Sequence, residues 1–139
     1  MSVRLFFEKK LPFRENKRKV VQWIRYVLEK EGKKAGSINI ITTGDREIER
    51  LNKEFLGRSY STDVISFPMN RGEKIEGEIY ISLDTVTENA KQFKVTAREE
   101  WRRVVIHGIL HLIGYVDDKR EEQQIMREKE DYYLERFPG

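Results

Sequence analysis

The chain has 139 residues, enough for one domain with a substantial core, and no cysteine, which excludes disulfides, thiolate metal sites and thiol catalysis. Charged residues make up 37% of it, against roughly 25% in an ordinary soluble domain, yet the signs nearly cancel at +3, so an anionic partner is permitted and not demanded. The run Met1-Ser2-Val3-Arg4-Leu5-Phe6-Phe7 is charged too soon for a signal peptide and no apolar run is long enough to span a bilayer, so the expected location is the cytoplasm. Residues 3–7 are short, apolar and β-prone and read as a strand. Val20, Trp23, Ile24, Val27 and Leu28 recur at helical spacing over residues 15–31, and Gly32 stops that helix. Residues 37–43 are a second strand; Thr43 or Asp45 then caps a helix carrying Ile48, Leu51 and Phe55 that ends at Gly57. Residues 64–67 form a third strand closed by Pro68, Asn70-Arg71-Gly72 is turn chemistry, and residues 78–83 form a fourth strand. A short helix starts at Asp84 and runs through Phe93, Thr96 caps a long apolar helix, and Asp118, three residues before Glu121, caps a last helix bearing Ile125, Met126, Tyr133 and Phe137.

The order β-α-β-α-β-β-α-α-α predicts an α+β domain. The first two crossovers favour parallel, right-handed pairing, and the fourth strand is expected to join antiparallel after its short link. No repeat, low-complexity segment or linker divides the chain, so one domain over 1–139 is expected. The basic clusters, Arg14 with Lys17-Arg18-Lys19, Lys33-Lys34 and Arg102-Arg103, are interleaved with glutamates and read as solvated helix faces.

The chemistry concentrates in one run. The chain's two histidines, His107 and His111, stand four residues apart, which stacks both imidazoles on one helix face. The surrounding Val104-Val105-Ile106 and Gly108-Ile109-Leu110, with Leu112-Ile113, make that helix apolar all round, hence buried. Two buried imidazoles need partners, and one divalent cation satisfies both. Gly114 ends the helix and Asp117 supplies an oxygen donor, giving the frame H-x-x-x-H-x-x-G-x-x-D. This is the metzincin frame H-E-x-x-H-x-x-G-x-x-H with two changes. Gly108 replaces the protease's general-base glutamate and Asp117 its third histidine, so the ligand geometry is kept and the peptidase chemistry is lost. A zincin-like metal site of His107, His111 and Asp117 is expected, one divalent ion per chain, with zinc favoured.

Two further segments bear on identity. Thr62-Asp63-Val64-Ile65-Ser66-Phe67-Pro68 and His107-Gly108-Ile109-Leu110-His111-Leu112-Ile113-Gly114-Tyr115 resemble the T-D/N-V-L-S-F-P and H-G-x-L-H-L-x-G-Y-D-H signatures of the YbeY family of metal-dependent endoribonucleases, and Gly77-Glu78-Ile79-Tyr80-Ile81 is similar to that family's G-D-I-x-I strand. The resemblance implies a small α+β domain with a four-stranded mixed sheet and several helices, a zinc ion held by three side chains, and single-strand RNA cleavage in ribosomal RNA maturation and ribosome quality control. The implied partners are small-subunit precursor RNA and ribosomal subunits or assembly proteins. The family's third ligand, a histidine, falls on Asp117, and the aspartate before it falls on Val116. The family's arginine, thought to engage RNA, falls on Leu56; Arg58, two residues on, is the candidate replacement as a phosphate contact, or else a solvated loop charge.

The expected activity is therefore metal-dependent hydrolysis of RNA phosphodiesters. A water in the metal's open fourth position would be the nucleophile, which gives His107 its catalytic part, with Arg58 and Arg103 as candidate cations for the developing charge. Asp63 and Ser66 are candidate substrate contacts. Asp63 reads equally as a turn cap, and Ser66, facing opposite to Ile65 and Phe67, either lines a cleft or packs small. The rival from another class is a non-catalytic ribosome-assembly factor with a structural metal; a metallopeptidase is disfavoured by Gly108.

Overall fold

The computed structural model describes residues 2–57, 62–69 and 72–139. The chain runs β1 (Ser2–Phe7), α1 (Lys17–Lys30), β2 (Lys34–Thr43), α2 (Asp45–Leu56), β3 (Val64–Pro68), β4 (Lys74–Ser82), α3 (Leu83–Phe93), α4 (Ala97–Leu112) and α5 (Arg120–Leu134). The element order is the expected one. The four strands form one mixed sheet in the order β1-β2-β4-β3.

The pairing differs from expectation in one respect. β4 lies parallel to β2, in the interior of the sheet, and β3 is the antiparallel strand, at the edge. The sequence explains the exchange. Ile75, Ile79 and Ile81 of β4 are buried, as an interior strand requires, whereas β3 is short and carries Pro68. The Asp63 carbonyl accepts from Ser82 N–H at 2.8 Å and Met69 N–H donates to Glu76 at 2.8 Å. Odd-numbered residues of β3 thus face β4, and Pro68 falls where its missing N–H would point off the sheet.

Helices α1, α3, α4 and α5 share the principal core with one sheet face, through Ile38, Ile40, Ile79 and Ile81. Helix α2 covers the other face with Ile48 and Leu51 against Ile65, Phe67 and Tyr80. Two tryptophans tie the layers. Trp101 of α4 is fully buried and donates its indole N–H to Thr42 Oγ1 at 3.1 Å; Trp23 of α1 donates to the Tyr133 carbonyl at 2.7 Å. No helix among the described residues is long and apolar enough to cross a membrane.

Three helix starts correct the sequence reading. Gly44, and neither Thr43 nor Asp45, is the N-cap of α2. Helix α3 begins at Leu83, one residue before the expected Asp84, which lies in its first turn and accepts the Asp45 N–H at 2.9 Å, while Ser82 caps α3 by accepting from Thr85 N–H at 3.1 Å. Asp118 does not cap α5: the cap is Lys119, whose N–H donates to Glu122 at 2.9 Å. The return bond from Glu122 needs only the backbone of the capping residue, so a lysine serves and the box moves one residue along.

Helix α4 approaches the sheet closely at Gly108. A Cβ there would stand 2.7 Å from Ile79 Cγ2, a buried β-branched side chain that cannot swing away. Gly108→Ala is therefore expected to destabilise the fold by about 1 kcal/mol, the roughly 1–3 kcal/mol of overpacking exceeding alanine's gain in helix propensity. Equilibrium denaturation measures it; an unchanged or raised midpoint would refute the close approach.

Candidate metal centre

The last turns of α4 and the segment after it assemble three donors. His107 and His111 bring their Nε2 atoms to 3.0 Å of each other. Asp117 reaches both, at 3.4 Å from His107 Nε2 and 3.5 Å from His111 Nε2. The return of Asp117 depends on Gly114. Its φ of 108° is open to glycine and strained for other residues. Gly114 N–H donates to His111 at 3.1 Å and Tyr115 N–H to Leu110 at 3.0 Å, the two bonds of a Schellman motif.

The same turn orients His111. Its Nδ1 donates to the Tyr115 carbonyl at 3.0 Å, and the Tyr115 hydroxyl donates to Glu31 at 2.6 Å. Glu31 also accepts from the Tyr133 hydroxyl and from Lys129 Nζ at 3.0 Å. Burial works against the Glu31 charge, but these donors outweigh it and hold the carboxyl below its ordinary range. His107 is oriented from α5: its Nδ1 lies 2.6 Å from Glu130 Oε2, and Glu130 is almost fully buried. Arg103 donates to Glu130 at 2.8 Å and to Asp131 at 2.6 Å.

These bonds fix the chemistry of the centre. With each Nδ1–H donated outward, both Nε2 atoms present lone pairs to each other and to a carboxylate. Such a cluster could hold a cation. Burial disfavours charge on His107, yet the hydrogen bond and charge of Glu130, followed by Asp117 and Asp63, raise its pKa above the usual histidine value. Ligands about 2.0–2.1 Å from a tetrahedral zinc lie roughly 3.3 Å from one another, close to the spacings found. Among the described residues this is the group of three or more His, Asp and Glu side chains that could hold a metal ion.

The other sequence candidates fare differently. Asp63 lines the cleft beside the histidines; burial raises its carboxyl, with His107 opposing. Ser66 lines the same cleft but donates its hydroxyl to the Gly108 carbonyl at 3.1 Å, so it also holds β3 to α4. Leu56 forms part of the cleft wall. Arg58 lies outside the described residues. Arg103 is not a free cation for substrate: Glu130 and Asp131 occupy it, and its part is to position Glu130. Gly108 faces Ile79, which leaves no room for a protease's glutamate. Glu130 escaped the sequence reading, although Met126, Glu130 and Tyr133 form one buried stripe of α5, and a glutamate within such a stripe is the signal that would have found it.

The α+β domain thus carries a half-buried His/Asp donor set that could hold a metal ion, lining a cleft of about 600 Å³. Comparison with known proteins narrows this. The family model for Endoribonuclease YbeY matches residues 7–138. An Endoribonuclease YbeY of Chlorobium phaeovibrioides is 49% identical over 116 residues, 84% of this chain and 78% of the relative. One of Chlorobium phaeobacteroides strain BS1 is 42% identical over 139 residues, covering 100% and 99% of the two chains. The solution structure of TM1509 from Thermotoga maritima superposes with a TM-score of 0.68 at 33% identity, covering 96% of this chain and 87% of that one. The chain belongs to the YbeY endoribonuclease family, and with it to the hydrolases that act on RNA.

Proposed function

We propose that the protein is a metal-dependent, single-strand-specific endoribonuclease of ribosomal RNA maturation and ribosome quality control, a single metallohydrolase domain acting in the cytoplasm on small-subunit precursor RNA in the company of ribosomal subunits or assembly proteins. The observation that carries the reading is the convergence of His107, His111 and Asp117 with both Nδ1 atoms already donated. These three are the metal ligands, in a zincin-like frame, and zinc suits two imidazoles and one carboxylate. When bound, the metal supplies a Lewis acid for the phosphoryl oxygen and lowers the pKa of water. The chain does the rest. Glu130 and the Tyr115 carbonyl lock both imidazoles. Asp63, just before β3, and Ser66 on β3 line the cleft where the strand of RNA lies, and Arg58 is the candidate phosphate contact.

The test joins metal content to activity. Purified protein should carry about one zinc per chain, cleave single-stranded RNA, spare duplex RNA and peptides, and lose cleavage on chelation. Helix α4 is seated in the core by Trp101, Ile106 and Ile109 without help from the donors, so the chelated protein should keep its circular dichroism spectrum. A chain that unfolds on chelation and never cleaves RNA, alone or with ribosomal subunits, would be an assembly factor with a structural metal.

A further inference from the structure

A second cavity, of about 370 Å³, opens beside the metal centre between α3, α4 and α5. It shares Asp63, His107 and Asp117 with the cleft, so a strand whose phosphate sits at the donors has a flanking base within reach of it. Glu100 lines it, one α4 face below Arg103 and His107. This glutamate is only 5% exposed, and no hydrogen bond or ion pair joins its carboxyl to a described residue. Glutamate buried in this way is ordinarily paired. The neighbouring guanidinium of Arg103 is committed to Glu130 and Asp131. Burial, reinforced by Asp63, raises the Glu100 carboxyl to about 7 against the opposing charge of Arg103. No fully buried side-chain oxygen among the described residues lacks a partner, so the Glu100 carboxyl opens onto the cavity, where a ligand can meet it.

The rim has matching chemistry. Phe93, the last residue of α3, is 62% exposed at the cavity mouth. Arg127 of α5 stands on the opposite side, exposed and without an ion pair among the described residues. An open aromatic ring and a free guanidinium are what a single nucleotide needs, one for its base and one for its phosphate.

We propose that this cavity is a nucleobase pocket that takes a guanine flanking the scissile phosphate, with Phe93 stacking on the base, Arg127 on its phosphate and Glu100 as the residue that reads it. The inference rests on the reading of the neighbouring centre as RNA-cleaving. The choice of base follows from the ionised carboxylate, which only accepts, and two N–H donors facing it favour that ionised form. Guanine's Watson–Crick edge sets two N–H donors side by side, N1–H and the N2 amine, which match the two carboxylate oxygens. A site built on such a pair rejects a base lacking one donor, because its own oxygen is then left buried and unpaired.

The experiment uses the metal-loaded full chain and cleavage-resistant, 2′-O-methylated phosphorothioate oligomers of uridine with one central guanine, hypoxanthine, adenine or cytosine, with binding read by fluorescence anisotropy. The guanine oligomer is expected to bind about tenfold more tightly than the hypoxanthine one, which lacks only the N2 amine. Glu100→Gln, nearly isosteric, should bring guanine down to the hypoxanthine level. Phe93→Ala, at an exposed position, should weaken every oligomer about tenfold and leave the order of preference intact. Equal binding of guanine and hypoxanthine by the wild type, or a preference that survives Glu100→Gln, overturns the pocket. If oligomers bind without preference and unmodified RNA is still cut, the pocket falls and the endonuclease stands; if no oligomer binds and no RNA is cut, both fall.

Discussion

Alanine at His107 or His111 is expected to leave the protein without tightly held metal and without RNA cleavage, and Asp117→Ala to weaken metal binding by more than the roughly 10–100-fold that outer partners of a metal site carry. Asp117 lies within 3.5 Å of both Nε2 atoms, and no other carboxylate among the described residues completes the group. Asp118, its neighbour, is exposed and does not cap α5. Asp118→Ala should therefore change neither metal affinity nor stability, the latter by no more than about 0.5 kcal/mol. Asp117→His should be tolerated and should tighten zinc, since imidazole suits that ion. Metal content after dialysis and competition with a chromogenic chelator give the affinities. If Asp118→Ala loses the metal while Asp117→Ala keeps it, the ligand assignment is wrong by one residue.

What the sequence made legible follows from range. His107, His111, Gly114 and Asp117 lie within one helix and its turn, so helical period and glycine chemistry suffice to place them together. The core stripes of α1 and α4 were readable for the same reason. Glu130 was not, because its pairing with His107 spans α4 and α5 and depends on how those helices cross. Glu31, which anchors Tyr115 from the far end of α1, is hidden in the same way. Strand position also resists local reading. The short β3–β4 link announces an antiparallel pair, but which partner enters the interior of the sheet is decided by burial of β4 against α4. The cap at Asp118 failed on a smaller scale: aspartate–x–x–glutamate satisfies the pattern, and the next residue, with Glu122, satisfies it through the backbone.

The other large effect is expected at Glu130. This carboxylate touches no substrate; it accepts from His107 Nδ1 and from Arg103, and it is almost fully buried. By fixing which nitrogen of His107 carries the proton, it presents Nε2 as a lone pair toward His111 and Asp117. Glu130→Gln keeps the shape and removes the charge, and should lower metal affinity about 10–100-fold. Glu130→Ala should add a loss of stability of about 2–3 kcal/mol, below the full cost of breaking a buried pair because Arg103 retains Asp131. A merely structural glutamate would show the second effect without the first. The pH dependence separates them further. Glu130 raises the affinity of His107 for a proton, despite the opposing effect of burial, and the same bond is expected to raise its affinity for a metal. Protons compete with the metal below the pKa of the ring, so in Glu130→Gln that competition should set in at lower pH than in the wild type. Metal affinity measured across the histidine range, with the His107 ring followed by NMR in the metal-free protein, reads both shifts. An affinity and a ring pKa unchanged by Glu130→Gln would show that His107 does not depend on α5 for its orientation.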